Sequence, residues 1–121
     1  MFAVNTGVQV VSKSSVVSPV SIVAVPFEAI NARNAVAFRS MIENEYVEGA
    51  QVVLDLSQCE FVNSAGLGAI VAAARRLAEL RGDLRICSVR KPVQALFELV
   101  RMNKLVPVFE ERQEAIESFS P

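Results

Sequence analysis

The sequence of 121 residues has no histidine, no tryptophan and only one tyrosine. Without histidine, the chain can neither form the usual Cys/His zinc sites nor use an imidazole as a catalytic base. Its two cysteines, Cys59 and Cys87, lack a metal-ligand spacing, and each lies close to a short apolar run. This position favours small buried side chains, although a disulfide between them stays open. The sequence therefore predicts no metal site and no cofactor.

Neither sign of charge is in excess, because the chain has 12 basic and 13 acidic residues. A nucleic-acid-binding protein usually carries a basic stripe, since phosphate neutralisation supplies much of its affinity. The densest basic stretches here, Arg75-Arg76 and Arg90-Lys91, are short. We therefore interpret them as solvated surface and expect no nucleic-acid partner.

Long apolar runs are also missing from the sequence. The longest, residues 67–74, is too short to cross a bilayer and is followed by two arginines. The first residues lack the basic start and the apolar core of a signal peptide. These features predict a cytoplasmic protein without direct membrane insertion.

Short apolar runs alternate with segments of helical periodicity, which is typical of a layered α/β domain. The predicted strands are residues 8–11, 20–25, 51–56, 84–87 and 106–109. The predicted helices run from a cap at Asn31 to about residue 46, from the region of Ser64 to Gly82, from Pro92 to about residue 102, and over residues 112–119. Residues 12–19 are expected to form a turn, and Pro107 places the last strand at a sheet edge.

The length and the apolar content of 52% fit one domain with a substantial core, residues 1–121. We expect an α/β fold with a mixed central sheet and about four helices packed mainly on one face. The step from residue 51 to residue 87, strand then helix then strand, is expected to cross over right-handed.

One segment, Glu60 to Gly68, has the residues of a binding or modification site, EFVNSAGLG. It follows the central strand, and partners of open α/β sheets gather at the carboxyl ends of strands. Ser64 is predicted at or near the helix N-cap, where its hydroxyl can accept a hydrogen bond from a backbone N–H. A phosphate on Ser64 would add about −1.5 to −2 charges at the positive end of the helix. Gly66 and Gly68 are unfavourable in a helix, so they require either close packing or access for a partner.

The same segment also has a purely structural interpretation, which the local pattern alone favours. Ser64 can be nothing more than a helix cap, and the two glycines can serve close packing alone. The Gly-x-Gly pattern is a weak signal for a phosphate loop. No Gly-Lys-Ser/Thr follows it, so the segment is not a Walker motif.

The stretch from Val52 to Val71, VVLDLSQCEFVNSAGLGAIV, resembles the signature of STAS domains, which include bacterial anti-sigma factor antagonists. Residues 84–99 resemble the later strand and helix of the family, and residues 27–32 resemble the start of its first helix. The resemblance implies that Ser64 accepts phosphate from a serine kinase that is also the anti-sigma factor. It implies further that a PP2C-type phosphatase removes this phosphate, and that the unphosphorylated chain binds the anti-sigma factor and frees a sigma factor.

The resemblance also implies a partner-binding surface, and we expect the chain to be a monomer. The implied residues are Asn63, Ser64, Ala65, Gly66 and Leu67, with Glu28 and Asn31 near the first helix. Asn63 stands where the family usually has an acidic residue, and this neutral amide need not block phosphorylation but can weaken partner recognition. Ala65 stands where the family often has a second hydroxyl, so Ser64 is the one hydroxyl left in the loop.

Two other functions stay open at this point. The chain can be a STAS scaffold that never receives phosphate, in a signalling complex or attached to membrane-transport machinery, and Asn63 favours this alternative. An enzyme would need a nucleophile paired with a base, or a metal. No such pair is suggested near Ser64, so we expect no catalytic residues and no enzymatic activity.

Overall fold

The computed structural model describes residues 8–9 and 19–119 of the chain. The strands are β1 Val8–Gln9, β2 Val20–Ala24, β3 Ala29–Ile30, β4 Gln51–Asp55, β5 Phe61–Val62, β6 Asp83–Cys87 and β7 Val108–Phe109. The helices are α1 Ala35–Glu43, α2 Ser64–Glu79, α3 Lys91–Leu99 and α4 Arg112–Glu117, with a 3-10 turn at Met102–Lys104.

The main sheet has five strands in the order β1-β2-β4-β6-β7. Strands β2, β4, β6 and β7 are parallel, and β1 runs antiparallel to β2 at one edge. This mixed sheet confirms the predicted fold class, and β7 lies at an edge as Pro107 predicted. The predicted turn at residues 12–19 lies, apart from Pro19, outside the described residues, as do residues 10 and 11 of the predicted first strand.

The central strand β4 is buried on both faces of the sheet. Val52 and Leu54 belong to the core that the buried residues of α1, α2 and α3 complete, whereas Val53 packs in a smaller core with Ala115 and Ile116 of α4. Successive strand residues face opposite sides of a sheet, so three helices cover one face and α4 covers the other. The prediction that the helices pack mainly on one face is therefore confirmed.

The first helix is shorter than predicted at both ends. Asn31 does not cap it, because its Oδ1 atom accepts a hydrogen bond from the Arg33 N–H at 2.9 Å and so closes a turn before the helix. Asn34 holds that turn, since its Nδ2 donates to the Ala29 carbonyl at 2.7 Å and its Oδ1 accepts from the Asn31 N–H at 2.9 Å. These local side-chain bonds compete with the helix, which starts only at Ala35.

The ends of α2 and α3 also correct the sequence-based boundaries. Helix α2 ends in a Schellman motif in which Arg81, not Gly82, adopts the left-handed conformation with φ of 62°. The Gly82 N–H closes the motif on the Leu77 carbonyl at 2.7 Å. A side chain at Gly82 would overlap the Ala50 backbone, so the glycine serves a close approach. Helix α3 stops at Leu99, before residue 102, because Arg101 has a φ of 59°.

Candidate partner-binding site

A second, two-stranded sheet positions the segment that carries Ser64. Strands β3 and β5 run parallel, with Ala29 opposite Phe61 and Ile30 opposite Val62. The Asn63 N–H donates to the Ile30 carbonyl at 2.8 Å and continues this ladder to the first residue before α2. The sequence analysis missed both strands, because two residues are too short for an alternation of apolar and polar side chains to show.

The two upstream residues of the predicted site flank strand β3. Glu28 lies just before this strand, and Asn31 lies just after it. Glu28 is exposed, and its carbonyl accepts the Glu60 N–H at 2.6 Å, on the side that leads into β5. Asn31 follows Ile30 just as Asn63 follows Val62, so the two asparagines lie at the ends of neighbouring strands. The small sheet therefore brings Asn31 next to Asn63, although 32 positions separate them in the sequence, whereas Glu28 lies beside Glu60 at the other end of this sheet.

The N-cap of α2 is Asn63, which corrects the predicted capping role of Ser64. Asn63 has an extended backbone, and its Oδ1 atom accepts a hydrogen bond from the Gly66 N–H at 2.8 Å. An amide oxygen caps a helix about as well as a carboxylate oxygen does. The departure from the usual acidic residue therefore keeps the cap and removes one negative charge from the start of the helix.

Ser64 is the first residue of α2 and is exposed. Because Asn63 holds the cap, the hydroxyl of Ser64 is not needed to satisfy the backbone of the first turn. The first turn contains no acidic residue, so the partial positive charge of the helix end is not offset there. A negative group on Ser64 would be stabilised by this helix end by about 0.3–1 kcal/mol.

The two glycines of the segment have different environments. A Cβ atom on Gly66 would lie 2.7 Å from the Val62 Cγ1 and 2.8 Å from the Ile30 Cγ2, so Gly66 permits the close packing of α2 on the small sheet. A Cβ atom on Gly68 would meet nothing within 4 Å, and Gly68 is exposed. Close packing therefore explains Gly66 but not Gly68, which lowers helix stability by about 0.8–1 kcal/mol relative to alanine.

The exposed residues between Phe61 and Gly68 are small, apart from one aromatic side chain. Ala65 and Gly68 are exposed, whereas Gly66 is buried and Leu67 packs half-buried against the core. Phe61 is 54% exposed although it lies in β5, because its neighbour Val62 takes the inward position. Phe61 was not predicted as a site residue, because a two-residue strand of two apolar side chains shows no alternation from which an outward position could be inferred.

An ion pair with a buried carboxylate lies at the carboxyl end of β4. Asp55 is 5% exposed, and its Oδ2 atom accepts from Nε of Arg112 at 2.9 Å, with Nη2 of the same arginine at 2.8 Å. Its Oδ1 atom accepts from the Ser57 N–H at 2.8 Å, at the start of the turn that leads to β5. Asp55 thus links α4 to the loop before the site. The sequence analysis did not predict this pair, although an acidic residue at the end of an apolar strand was a signal for it.

Neither cysteine has the properties of a reactive thiol. Cys59 and Cys87 are both fully buried, with an exposed fraction of 0%. Burial raises the pKa of Cys59, and burial together with the nearby Asp55 raises the pKa of Cys87 to about 11. Both are therefore protonated at neutral pH and are weak nucleophiles. Within the part of the chain that the structure describes, no group of three or more candidate ligand side chains could hold a metal ion.

The family of this fold follows from a comparison with known proteins. The family model of the STAS domain matches residues 13–115. The chain belongs to the STAS domain family. Among curated relatives, this STAS domain is 29% identical over 91 residues to BtrV of Bordetella bronchiseptica, which covers 74% of the chain and 78% of that relative. It is 28% identical over 65 residues to the anti-sigma F factor antagonist of Paenibacillus polymyxa, over 54% of the chain and 56% of that relative.

Solved structures extend the likeness to proteins of two kinds. An anti-sigma factor antagonist from Mycobacterium paratuberculosis matches with a TM-score of 0.74 and 25% identity, over 84% of the chain and 86% of that protein. The murine anion transporter Slc26a9 matches with a TM-score of 0.67 and 19% identity, over 80% of the chain but only 17% of the transporter. The second likeness shows the fold alone. Among the described residues, no helix is both long enough and apolar enough to cross a membrane.

Proposed function

We propose that this STAS domain is an anti-sigma factor antagonist whose partner binding is switched off by phosphate on Ser64. The observation that carries the proposal is that Ser64 is exposed at the first position of α2 while Asn63 holds the cap. Phosphate can therefore be added and removed without changing the hydrogen bond that starts the helix. The relatives named as anti-sigma factor antagonists support the same function.

In this proposal the partner of the unphosphorylated chain is an anti-sigma factor that is also a serine kinase. The Ser64 Oγ forms a bond to the γ-phosphorus of ATP, the bond to the bridging oxygen breaks, and ADP leaves. The hydroxyl proton passes to a base of the kinase, so the antagonist itself needs no catalytic residue. A PP2C-type phosphatase hydrolyses the phosphate ester and restores the hydroxyl, and all three proteins act in the cytoplasm.

The phosphate acts on docking more than on the fold. It adds about −1.5 to −2 charges to a surface patch that contains Phe61, Ala65 and Gly68. A partner that covers this patch has to remove water from the new charge, which is costly unless the charge is paired. The helix end meanwhile stabilises the charge within the free domain. The phosphorylated chain therefore stays folded and loses affinity for the anti-sigma factor.

Asn63 is compatible with this switch. Its amide oxygen makes the cap that the usual carboxylate would make. Because the amide is neutral, no second negative charge stands beside the phosphate on Ser64. We expect Asn63 to permit phosphorylation and to change only the contacts that an anti-sigma factor makes with this position.

A second candidate is a scaffold domain of membrane-transport machinery that never receives phosphate. The fold of this domain also occurs in the Slc26a9 anion transporter, so a domain of this fold can be part of such machinery. In such a complex the surface at Ser64 would be covered permanently, and Ser64→Glu would disturb assembly without any kinase being involved. Phosphate on Ser64 therefore distinguishes the two candidates.

Binding to purified anti-sigma factor kinases of the same organism tests the proposal. Ser64→Ala is expected to bind as the unphosphorylated chain does and to stay bound when ATP is added. Ser64→Glu is expected to bind about tenfold more weakly or worse, which corresponds to about 1.4 kcal/mol. If Ser64→Glu binds as tightly as the unmodified chain, charge on this residue does not control docking.

Phe61→Ala and Val47→Ala form a matched pair that locates the interface. Both side chains are exposed, by 54% and 61%. Val47 lies at the far end of α2, because the Gly49 N–H in the same turn bonds the Leu80 carbonyl. Loss of an interfacial aromatic residue is expected to weaken binding by about tenfold or more. Val47→Ala is expected to leave binding unchanged, and equal effects of the two variants would contradict the proposed surface.

A further inference from the structure

Gly68 has no function within the described fold that its environment can explain. A Cβ atom there would have no neighbour within 4 Å, and the residue lies on the exposed face of α2. Its φ is not positive, because Gly49 is the one described glycine with a positive φ. Neither packing nor backbone conformation therefore requires glycine at this position, although the helix would be more stable with alanine.

The position of Gly68 relative to Ser64 supplies a reason. The two residues are four positions apart, so they lie one above the other on the same face of α2. Side chains on a helix lean toward its N-terminus and cover the preceding turn. Any side chain at position 68 would therefore lean toward Ser64 and occupy part of the space above its hydroxyl.

We propose that Gly68 determines access to Ser64, by keeping the approach to the Ser64 hydroxyl open to a bulky reacting group. The inference rests on the proposed function, in which the reacting group is the γ-phosphate of ATP bound in the active site of a kinase. The Cβ atom of alanine at position 68 would not contact Ser64 and narrows the approach only slightly, whereas the longer leucine side chain narrows it more. Gly68 is thus a specificity-determining residue for phosphate transfer, although it makes no contact through a side chain of its own.

Access can be measured without any partner by placing a thiol at the site in the full chain. In a Ser64→Cys variant the new thiol is the exposed one, since Cys59 and Cys87 are buried. The rate at which this thiol reacts with fluorescein maleimide, a bulky probe, is measured in three Ser64→Cys chains. They carry the natural Gly68, Gly68→Ala or Gly68→Leu. We expect the rate to fall in that order and to fall several-fold with leucine, whereas N-ethylmaleimide, a small probe, is slowed less. Rates followed against pH separate changed access from a changed thiol pKa.

Ala78→Leu is the matched control, because Ala78 is exposed near the opposite end of the same helix. It adds similar bulk to α2 and is expected to leave the labelling rate of the Ser64→Cys variant unchanged. Equal labelling rates for Gly68 and Gly68→Leu would overturn the inference. A lower melting temperature for Gly68→Ala would overturn it as well, because the fold itself would then require the glycine.

The same substitutions in the Ser64 chain separate this inference from the proposed function. With a kinase that phosphorylates the wild type, Gly68→Leu is expected to accept phosphate several-fold more slowly, and Ala78→Leu at the wild-type rate. If labelling slows as expected but Ser64 of the wild type is never phosphorylated, the proposed function fails and the control of access by Gly68 stands. If phosphorylation of the wild type is found and Gly68→Leu is modified equally fast, the inference alone fails.

Discussion

The Oδ1 atom of Asn63 accepts the backbone N–H of Gly66 at 2.8 Å, so the residue before Ser64 caps the helix on which Ser64 lies. This arrangement separates two tasks that one residue could have performed. Asn63 satisfies the first turn and joins α2 to β3 through its own N–H, which donates to Ile30. Ser64 is left as an exposed hydroxyl at the positive end of the helix.

The separation of tasks predicts unequal effects of two alanine substitutions on stability. Asn63→Ala removes the cap and is expected to lower the free energy of unfolding by about 0.5–2 kcal/mol. Ser64→Ala is a surface change without loss of the cap, so it is expected to stay within about 0.5 kcal/mol of the wild type. Urea unfolding at a common m-value measures both. A larger loss for Ser64→Ala than for Asn63→Ala would assign the cap to Ser64 after all.

The ion pair between Asp55 and Arg112 predicts a larger loss than an exposed pair of the same chemistry. Arg112→Ala leaves a buried carboxylate without its charged donor and is expected to lower stability by about 1.5–3 kcal/mol. This loss of stability is smaller than the loss of about 3–5 kcal/mol on breaking a fully buried pair, because the Arg112 side chain is 43% exposed.

The control for Arg112→Ala is Arg76→Ala, whose side chain pairs with Glu79 at 3.0 Å on the surface of α2. Exposed pairs of this kind contribute about 0.2–1 kcal/mol, so the loss is expected to be small. A double-mutant cycle with Asp55→Asn isolates the coupling between Asp55 and Arg112. Equal losses for Arg112→Ala and Arg76→Ala would show that burial of Asp55 does not strengthen its pair.

The buried thiol of Cys87 predicts a dependence of stability on alkaline pH. Its pKa is raised from 9.0 to about 11, chiefly by burial. Between these values the unfolded chain has lost the thiol proton that the folded chain keeps, so the stability present below pH 9.0 is lost as pH rises. The slope is at most about 1.4 kcal/mol per pH unit.

Comparison with Cys87→Val isolates this contribution, because every other ionisable side chain is the same in both chains. As pH rises above 9.0, the unfolding free energy of the wild type is expected to fall relative to that of the variant. A difference that stays constant up to about pH 11 would mean that the Cys87 thiol is not kept protonated by the fold.

The order of the helices and of the main-sheet strands was predictable from the sequence, but their boundaries and the short strands β3 and β5 were not. Residues 52–54 are consecutive apolar residues, which is typical of a strand covered on both faces, and β4 is such a strand. The start of α1 was predicted three residues too early, because Asn31 is a good capping residue in isolation. Its side chain bonds the Arg33 N–H in a turn, and Asn34 ties that turn to Ala29, which no helical periodicity reveals.

The candidate site was predictable in its position more than in its geometry. The polar and glycine residues after β4 pointed to the start of α2, where Ser64 is indeed exposed. Asn63 and Ser64 are both capping residues, and only the extended backbone of Asn63 decides which of them caps. The exposed position of Phe61 depends on a two-residue strand, which is too short to show a pattern in the sequence. The ion pair of Asp55 with Arg112 joins residues 57 positions apart, so no local pattern identifies the partner of Asp55.

The most direct test of the central claim is the mass of the protein from its own cells. The protein is purified from cells grown under two conditions. Its intact mass is measured, and the peptide that contains residues 61–67 is mapped. The account predicts one phosphate on Ser64 whose occupancy changes with the growth condition. A chain without phosphate in every condition, although the kinase partner is present, would contradict the switch and favour the constitutive scaffold.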